Sequence, residues 1–123
     1  VVMARKTGLL EIRVRDLASG QTKTVSFPEP VYTVYAGGTP EFKSTKVRYV
    51  YTSLNRPTTT YEYDVTTGTS EKLKEEKVPS GFDPAQYEVR RLFATAHDGT
   101  KVPLAVVHKK GLELDGRNPT LLY

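Results

Sequence analysis

The sequence predicts an all-β chain, because short runs of alternating apolar and polar residues recur along it and no long window has the period of a helix. Residues 11–15 place Ile12 and Val14 on one face of a strand and charged side chains on the other. Residues 47–51 and 61–65 repeat this pattern with valine and tyrosine side chains. Each run is therefore predicted to form a strand with one buried face.

Three turns separate the predicted strands. Gly20, Gly68 and Gly99 each stand between two strand-like runs and tolerate the positive φ that tight hairpin turns need. The charged run at residues 70–77 follows the second turn, and we expect it to form the exposed outer strand of a hairpin. Residues 102–107 are apolar at consecutive positions, which predicts a strand covered on both faces, with its proline at an edge or a bulge.

An internal repeat indicates how the strands are grouped. Residues 16–20 and 64–68 share the pattern Asp-apolar-x-Ser/Thr-Gly, and each copy follows an alternating strand and precedes a polar one. The copies are 48 residues apart, close to the roughly 40–50 residues of a four-stranded propeller blade. The repeat favours a β-propeller and leaves open other β-folds that reuse such hairpins.

Composition limits the functions that the chain can have. It contains no cysteine, which excludes disulfides and thiolate metal sites and fits a cytoplasmic protein. No apolar run approaches the ~18 residues of a membrane helix, and the first residues do not resemble a signal peptide. The net charge of +4 leaves one alternative, a free-standing basic β module that binds an acidic partner such as nucleic acid. The 14 acidic residues are interleaved with the 18 basic ones, so no basic stripe supports it.

The character of the sequence changes toward the C-terminus. Two prolines and a glycine within residues 78–84 predict a connection between structural units. Residues 87–96 and 101–109 flank the last of the three turns, and we expect them to pair as a hairpin. Residues 119–123 are apolar and are predicted to start a buried strand, so we expect the chain to be an internal piece of a longer protein.

Seven short motifs occur in a fixed order over almost the whole chain. They are Phe27-Pro28-Glu29-Pro30, Thr39-Pro40-Glu41-Phe42, Tyr51-Thr52-Ser53-Leu54 with Pro57, Thr60-Tyr61-Glu62-Tyr63-Asp64, Gly81-Phe82-Asp83, Ala96-His97-Asp98-Gly99-Thr100-Lys101-Val102-Pro103 and Asn118-Pro119-Thr120-Leu121-Leu122-Tyr123. In this order they resemble prolyl-oligopeptidase-type serine peptidases, in the stretch that leaves the propeller and enters the α/β-hydrolase domain. The second and fourth motifs resemble the oligopeptidase B branch of the family more than prolyl oligopeptidase itself.

The resemblance implies a fold class and a division of the chain. Residues 1–77 would be the C-terminal region of the propeller, with a blade end at residues 1–27 and the last blade at residues 31–76. Residues 78–87 would link two domains, and residues 88–123 would be the truncated opening strands of an α/β-hydrolase domain. The expected fold is therefore all-β, with the last propeller blades followed by the first β-hairpin of the hydrolase domain.

We predict no catalytic, cofactor-binding or metal-binding residue in this chain. It has no Gly-x-Ser-x-Gly motif, and its serines lie in turns or at strand margins, where a hydroxyl commonly bonds to backbone. These serines are Ser19, Ser26, Ser44, Ser53, Ser70 and Ser80. His97 and His108 are interpreted as surface histidines and not as general bases or zinc ligands. Residues 75–76 are interpreted as solvated edge charges, and Gly37-Gly38 as a blade turn and not a phosphate loop.

The resemblance also implies a function for the parent protein, a serine endopeptidase that cleaves short peptides after basic residues. In this family the catalytic Ser, Asp and His lie beyond the position of Tyr123, and we assign that tyrosine no oxyanion role. The chain would supply a propeller gate and an interdomain hinge. Alone it is expected to be inactive and to self-associate through open blade faces and sheet edges. Its expected partners are short peptides and the rest of the parent chain, without nucleic acid or membrane.

Overall fold

The computed structural model describes residues 1–39 and 41–123, and these residues form three antiparallel sheets. The first sheet contains β1 (Val2–Lys6), β2 (Leu9–Arg15) and β3 (Thr22–Thr24) in the order β1-β2-β3. The second contains β4 (Thr33–Ala36), β5 (Lys46–Ser53), β6 (Arg56–Asp64) and β7 (Thr69–Glu75) in the order β4-β5-β6-β7. The third is the hairpin of β8 (Tyr87–Thr95) and β9 (Lys101–Lys109), which follows a 3₁₀ turn at Pro84–Gln86.

The predicted all-β fold class is confirmed. The strands predicted at residues 11–15, 47–51 and 61–65 lie within β2, β5 and β6, respectively, apart from the last residue of the third run. Residues 70–75 of the charged run predicted as an outer strand lie in β7, every residue of β7 is exposed, and residues 76–77 lie beyond its end. The second sheet is a complete four-stranded up-and-down meander, the form of one propeller blade. Pro40, part of the second motif, lies outside the described residues.

The first two sheets share one apolar core. Ile12 on β2 and Val34 on β4 are fully buried, and they join a cluster with buried tyrosines of the second sheet. The backbone N–H of Val25 donates to the carbonyl of Ile12 at 2.9 Å, which extends the pairing beyond β3 toward the second sheet. Each sheet buries only the face turned toward the other. Buried side chains therefore alternate with less buried ones along β5, as apolar and polar residues do in its sequence.

The repeated turns have the same geometry. The carboxylate of Asp16 accepts from the N–H of Ala18 at 2.8 Å, and that of Asp64 accepts from the N–H of Thr66 at 2.8 Å. Both turns end on a glycine with positive φ, 72° in the first copy and 76° in the second. The sequence repeat therefore corresponds to a structural repeat, in which the pair β2–β3 matches the pair β6–β7.

The C-terminal region departs from two expectations. β9 forms as predicted, but its apolar residues are not covered on both faces, since Val102 is 42% exposed and Leu104 is 39% exposed. A two-stranded sheet has no layer of its own to cover it. The prediction that residues 119–123 begin a buried strand is wrong, because they form no strand and Leu121 and Leu122 are each 90% exposed. In the described part of the chain, no sheet edge pairs with this segment.

Candidate functional site: the junction of the sheets and the hairpin

The side chains considered for chemistry are dispersed. Ser53 donates to the carbonyl of Val31 at 2.7 Å, and the hydroxyl of Ser70 accepts from Tyr49 at 2.9 Å. The Nδ1 atom of His108 lies 2.9 Å from the carbonyl oxygen of Lys109. Over residues 1–39 and 41–123, no serine is hydrogen-bonded to a histidine, and no three His, Asp or Glu side chains are grouped to hold a metal ion. No serine and histidine are therefore assembled as nucleophile and base in the residues that the structure describes.

A carboxylate at the connection between the first two sheets organises one end of the second sheet. Glu29 lies between β3 and β4, and it accepts hydrogen bonds from the Tyr51 hydroxyl and the Arg56 guanidinium. Burial and the bond to Glu29 raise the pKa of Tyr51, and the bond to Glu29 raises the pKa of Arg56. The tyrosine and the guanidinium therefore both stay protonated and donate to the same carboxylate.

An aromatic layer lies beside this carboxylate. Phe27 stacks on Tyr51 with 5.3 Å between ring centroids and meets Tyr32 at 4.7 Å. Tyr49 stacks on Tyr61 at 5.3 Å. Burial raises the pKa of Tyr49, so that its hydroxyl remains a donor to Ser70. Aromatic pairs at these distances add roughly 0.5–1.5 kcal/mol beyond area burial, so the layer fixes the connection between the two sheets.

The hairpin meets the first sheet at the β1–β2 turn. Arg91 on β8 donates from Nη2 to the carbonyl oxygen of Thr7, and its Nη1 lies 3.4 Å from the Thr7 hydroxyl. The Arg91 Cζ atom lies 5.0 Å from the centroid of the Phe93 ring, within cation–π range. A cleft of about 170 Å³ lies at this contact and is lined in part by Leu9 and Pro103.

Seven of the 18 basic residues form ion pairs with acids in the described part of the chain. Lys46 and Arg48 both bind Glu62, at 2.9 and 3.2 Å, and these two bonds lower the pKa of Glu62. Arg13 binds Glu11 at 2.7 Å, and further pairs involve Arg90 and Arg117. These ion pairs neutralise part of the positive charge on β2, β5 and β8.

Two of these features were not predicted from the sequence. The hairpin β1–β2, with its turn at Thr7 and Gly8, was not identified, although a glycine between two short strand-like runs is the expected signal. The contact between Arg91 and Thr7 joins residues 84 positions apart, and no local sequence pattern predicts a contact over that separation. In the described residues, no helix is long and apolar enough to cross a membrane.

A four-stranded meander that shares its core with part of a second, similarly turned sheet defines the class of a β-propeller. Residues 1–76 match the family described as "Prolyl oligopeptidase, N-terminal beta-propeller domain". This match spans more than half of the chain, so the chain belongs to the prolyl oligopeptidase family.

The similar proteins are peptidases of this family. The chain is 38% identical over 124 residues to dipeptidyl aminopeptidase BI of Pseudoxanthomonas mexicana, covering 100% of this chain and 17% of that protein. It is 45% identical over 75 residues to prolyl endopeptidase of Elizabethkingia meningoseptica, covering 61% of this chain and 10% of that protein. The structure of oligopeptidase B from Trypanosoma brucei with covalently bound antipain, closed form, matches with a TM-score of 0.79 at 31% identity. That match covers 91% of this chain and 17% of the oligopeptidase B chain.

Proposed function

We propose that this chain is a non-catalytic segment of a serine oligopeptidase, in which it supplies part of a propeller gate and an interdomain hinge. One observation carries the proposal: similarity to the oligopeptidase B structure covers 91% of the chain, although the propeller family matches only residues 1–76. The similarity therefore continues into the C-terminal hairpin. A segment that joins a propeller to the next domain is placed to act where the two parts move against each other.

The proposed division assigns residues 1–77 to the propeller, residues 78–87 to the link and residues 88–123 to the opening strands of an α/β-hydrolase domain. The grouping of strands supports this division, since β1 to β7 precede the link, and β8, which begins at the last residue of the link, and β9 follow. Within the proposed link, the carboxylate of Asp83 accepts from the N–H of Ala85 at 2.9 Å and caps the 3₁₀ turn. The link thus has local order of its own.

For the parent protein we propose cleavage of short peptides after basic residues. The similarity to oligopeptidase B supports this, while two relatives carry the names dipeptidyl aminopeptidase and prolyl endopeptidase. We also propose a cytoplasmic location, supported by the absence of cysteine, and we propose that no cofactor is required.

A direct test compares the 123-residue chain with the full reading frame that contains it. Fluorogenic peptides with arginine or proline before the scissile bond would be assayed under the same conditions. We expect the longer protein to hydrolyse the arginine peptide faster and the 123-residue chain to give no turnover. Preference for the proline peptide would reject the proposed specificity. Turnover by the 123-residue chain, abolished by substituting one of its own serines, would reject the non-catalytic role.

The alternative is a basic β module that binds an acidic partner. Its support is the net charge of +4, but the ion pairs of Glu11, Glu29 and Glu62 neutralise several of the basic side chains. Tight, salt-sensitive binding of the 123-residue chain to DNA or heparin would favour the alternative. We expect no such binding.

A further inference from the structure

Arg91 makes the polar side-chain contact between the C-terminal hairpin and the first sheet. Its guanidinium extends from the hairpin to the first sheet and donates to the carbonyl oxygen of Thr7 in the β1–β2 turn. Within residues 1–39 and 41–123, no other side-chain hydrogen bond and no ion pair joins the hairpin to the first two sheets. A charged donor gives a stronger hydrogen bond than a neutral one, so this contact dominates the polar part of the junction.

The turn that receives Arg91 has an unusual backbone. Thr7 has φ 48° and Gly8 has φ 92°, and these are the two central residues between β1 and β2. Positive φ at both positions defines a type I′ hairpin turn. Positive φ is uncommon for a β-branched residue such as threonine. The turn therefore holds its first central residue in a disfavoured conformation, and the carbonyl of that residue is the one that Arg91 binds.

The β1–β2 turn and the C-terminal hairpin are in close contact at Gly8. A Cβ atom added to this glycine would lie 3.4 Å from Arg91 Nη2 and 3.5 Å from Pro103 Cγ. Those distances are ordinary contacts, so the positive φ is the stronger reason for glycine here. They also show that the turn lies directly against the guanidinium and the proline ring. An alanine Cβ would touch both groups, and a side chain longer than alanine's would extend from there toward Arg91 or Pro103.

The hairpin holds Arg91 in position from its own side. Phe93 lies two residues along β8, on the same face, with its ring centroid 5.0 Å from Arg91 Cζ. Ala105 is the cross-strand partner of Arg91, and Pro103 is the partner of Phe93. The small alanine leaves room for the guanidinium, and the aromatic ring limits its rotation. Arg90, the next residue along the strand, lies on the opposite face and binds Glu88 at 2.7 Å.

We propose that Arg91 is a latch that fixes the orientation of the C-terminal hairpin on the first sheet, with the Thr7–Gly8 turn as its receptor. The biological meaning of the latch rests on the proposed hinge function, but its existence does not. When the guanidinium is docked, the hairpin keeps one orientation. When it is released, the apolar contacts around a cleft of about 170 Å³ remain to hold the two parts together.

The test measures the orientation directly in the 123-residue chain. The chain has no cysteine, so two spin labels can be placed uniquely through Leu17→Cys in the β2–β3 turn and His97→Cys at the hairpin tip, both exposed. Pulsed electron resonance then gives the distribution of distances between them. With Arg91 present we expect one narrow distribution. Arg91→Ala is expected to raise the undocked population about tenfold, the effect of losing about 1.4 kcal/mol.

Two further variants separate the latch from a loss of charge. Arg90→Ala removes an arginine from the same strand but leaves the Thr7 contact intact, so the narrow distribution should persist. Arg91→Lys keeps the charge without the planar fork of donors, and an intermediate width is expected. Equal distributions for Arg91→Ala and Arg90→Ala, in chains whose far-UV circular dichroism is unchanged, would overturn the proposal.

A substitution in the Thr7–Gly8 turn tests the latch independently, including the case in which Arg91→Ala does not fold. Gly8→Val fills the space beside the guanidinium and should broaden the distribution with Arg91 in place. A narrow distribution in a folded Gly8→Val chain would then overturn the latch. The distances do not depend on peptidase activity. A broadened distribution together with an inactive full-length protein would therefore reject the proposed function and leave the latch standing.

Discussion

The second sheet and the C-terminal hairpin use the same local rules and reach different degrees of burial. Both are antiparallel, and both contain a turn that begins with an aspartate whose carboxylate accepts from the backbone N–H two residues later. Yet Tyr63 on β6 is 5% exposed, whereas Phe93 on β8 is 52% exposed. The difference lies in what covers each sheet. The second sheet packs against the first, whereas the hairpin lies beside the β1–β2 turn, Leu9 and Val31 around a cleft.

This comparison shows that strand formation and burial have separate causes. An apolar run with a good turn is sufficient to pair two strands. Burial needs a second layer, and β4 to β6 obtain one because Ile12 of the first sheet and Val25, just after it, pack against them. In the hairpin, β8 and β9 pair along their whole length, but apolar side chains on both faces remain in contact with solvent. Substitutions should therefore affect the two regions unequally.

The largest expected difference is between two aromatic truncations. Tyr63→Ala should lower the free energy of unfolding by about 3–5 kcal/mol, because it removes a large buried side chain from the shared core. Phe93→Ala, at a half-exposed site on the hairpin, should lower it by less than about 1 kcal/mol. Urea denaturation followed by far-UV circular dichroism measures both. Equal losses would mean that the hairpin is as well packed as the second sheet.

A smaller effect is expected at the carboxylate between the first two sheets. Glu29→Gln keeps the shape of the side chain but removes the charge that accepts from Tyr51 and Arg56. We expect a loss of about 1–3 kcal/mol in the free energy of unfolding. Glu113→Gln, at an exposed position in the C-terminal loop, is the matched control and should change nothing measurable. An unchanged free energy of unfolding for Glu29→Gln would show that the aromatic layer alone holds the connection between the first two sheets.

Self-association should depend on the hairpin and not on the outer strand of the blade. Leu92 and Leu73 are similarly exposed, on β8 and β7 respectively. Leu92→Lys places a charge on an open apolar face and should weaken self-association about tenfold in sedimentation experiments. Leu73→Lys adds one more charge to a strand that already carries several, so little change is expected. A chain that stays monomeric at all concentrations would contradict the proposed self-association.

The smallest effect is expected at the exposed turn carboxylates. The Thr66 hydroxyl and N–H lower the pKa of Asp64 below its ordinary value. The stability that this gives is present above the unfolded pKa of about 3.9 and is lost as pH falls through the lower folded value. The difference in stability between wild type and Asp64→Asn should therefore vanish in strong acid. Asp98→Asn, in the hairpin turn, should behave in the same direction, since bonds from Thr100 lower the pKa of Asp98.

Denaturation of each variant at pH 7 and near pH 2 measures this contribution. A difference that persists unchanged at low pH would show that the asparagine acts through turn geometry and not through the carboxylate charge. The Asp16 turn provides an internal repeat of the test, because backbone bonds from Ala18 and Ser19 lower the pKa of Asp16 in the same way.

Much of the strand pattern follows from local sequence. Alternation at residues 47–51 and 61–65 predicts β5 and β6, and the spacing of Asp16 and Asp64 predicts the matching turns. The contacts at the connection between the first two sheets were harder to predict from local sequence. Glu29 belongs to a motif noted in the sequence, but its partners Tyr51 and Arg56 are distant along the chain and meet it only in the folded sheet. The division of residues 1–77, 78–87 and 88–123 between domains remains a prediction.

The sequence by itself determined the strands at the centres of β2, β5 and β6, the turns at Gly20, Gly68 and Gly99, and which face of β5 carries its tyrosines. Strand alternation and glycine turns are short-range properties of the backbone. Only the tertiary structure decided which faces are buried. Residues 102–107 are more continuously apolar than β5, yet β5 is the buried strand, since it has the first sheet against it. The contact of Arg91 with Thr7 was decided in the same way, by the packing of distant segments.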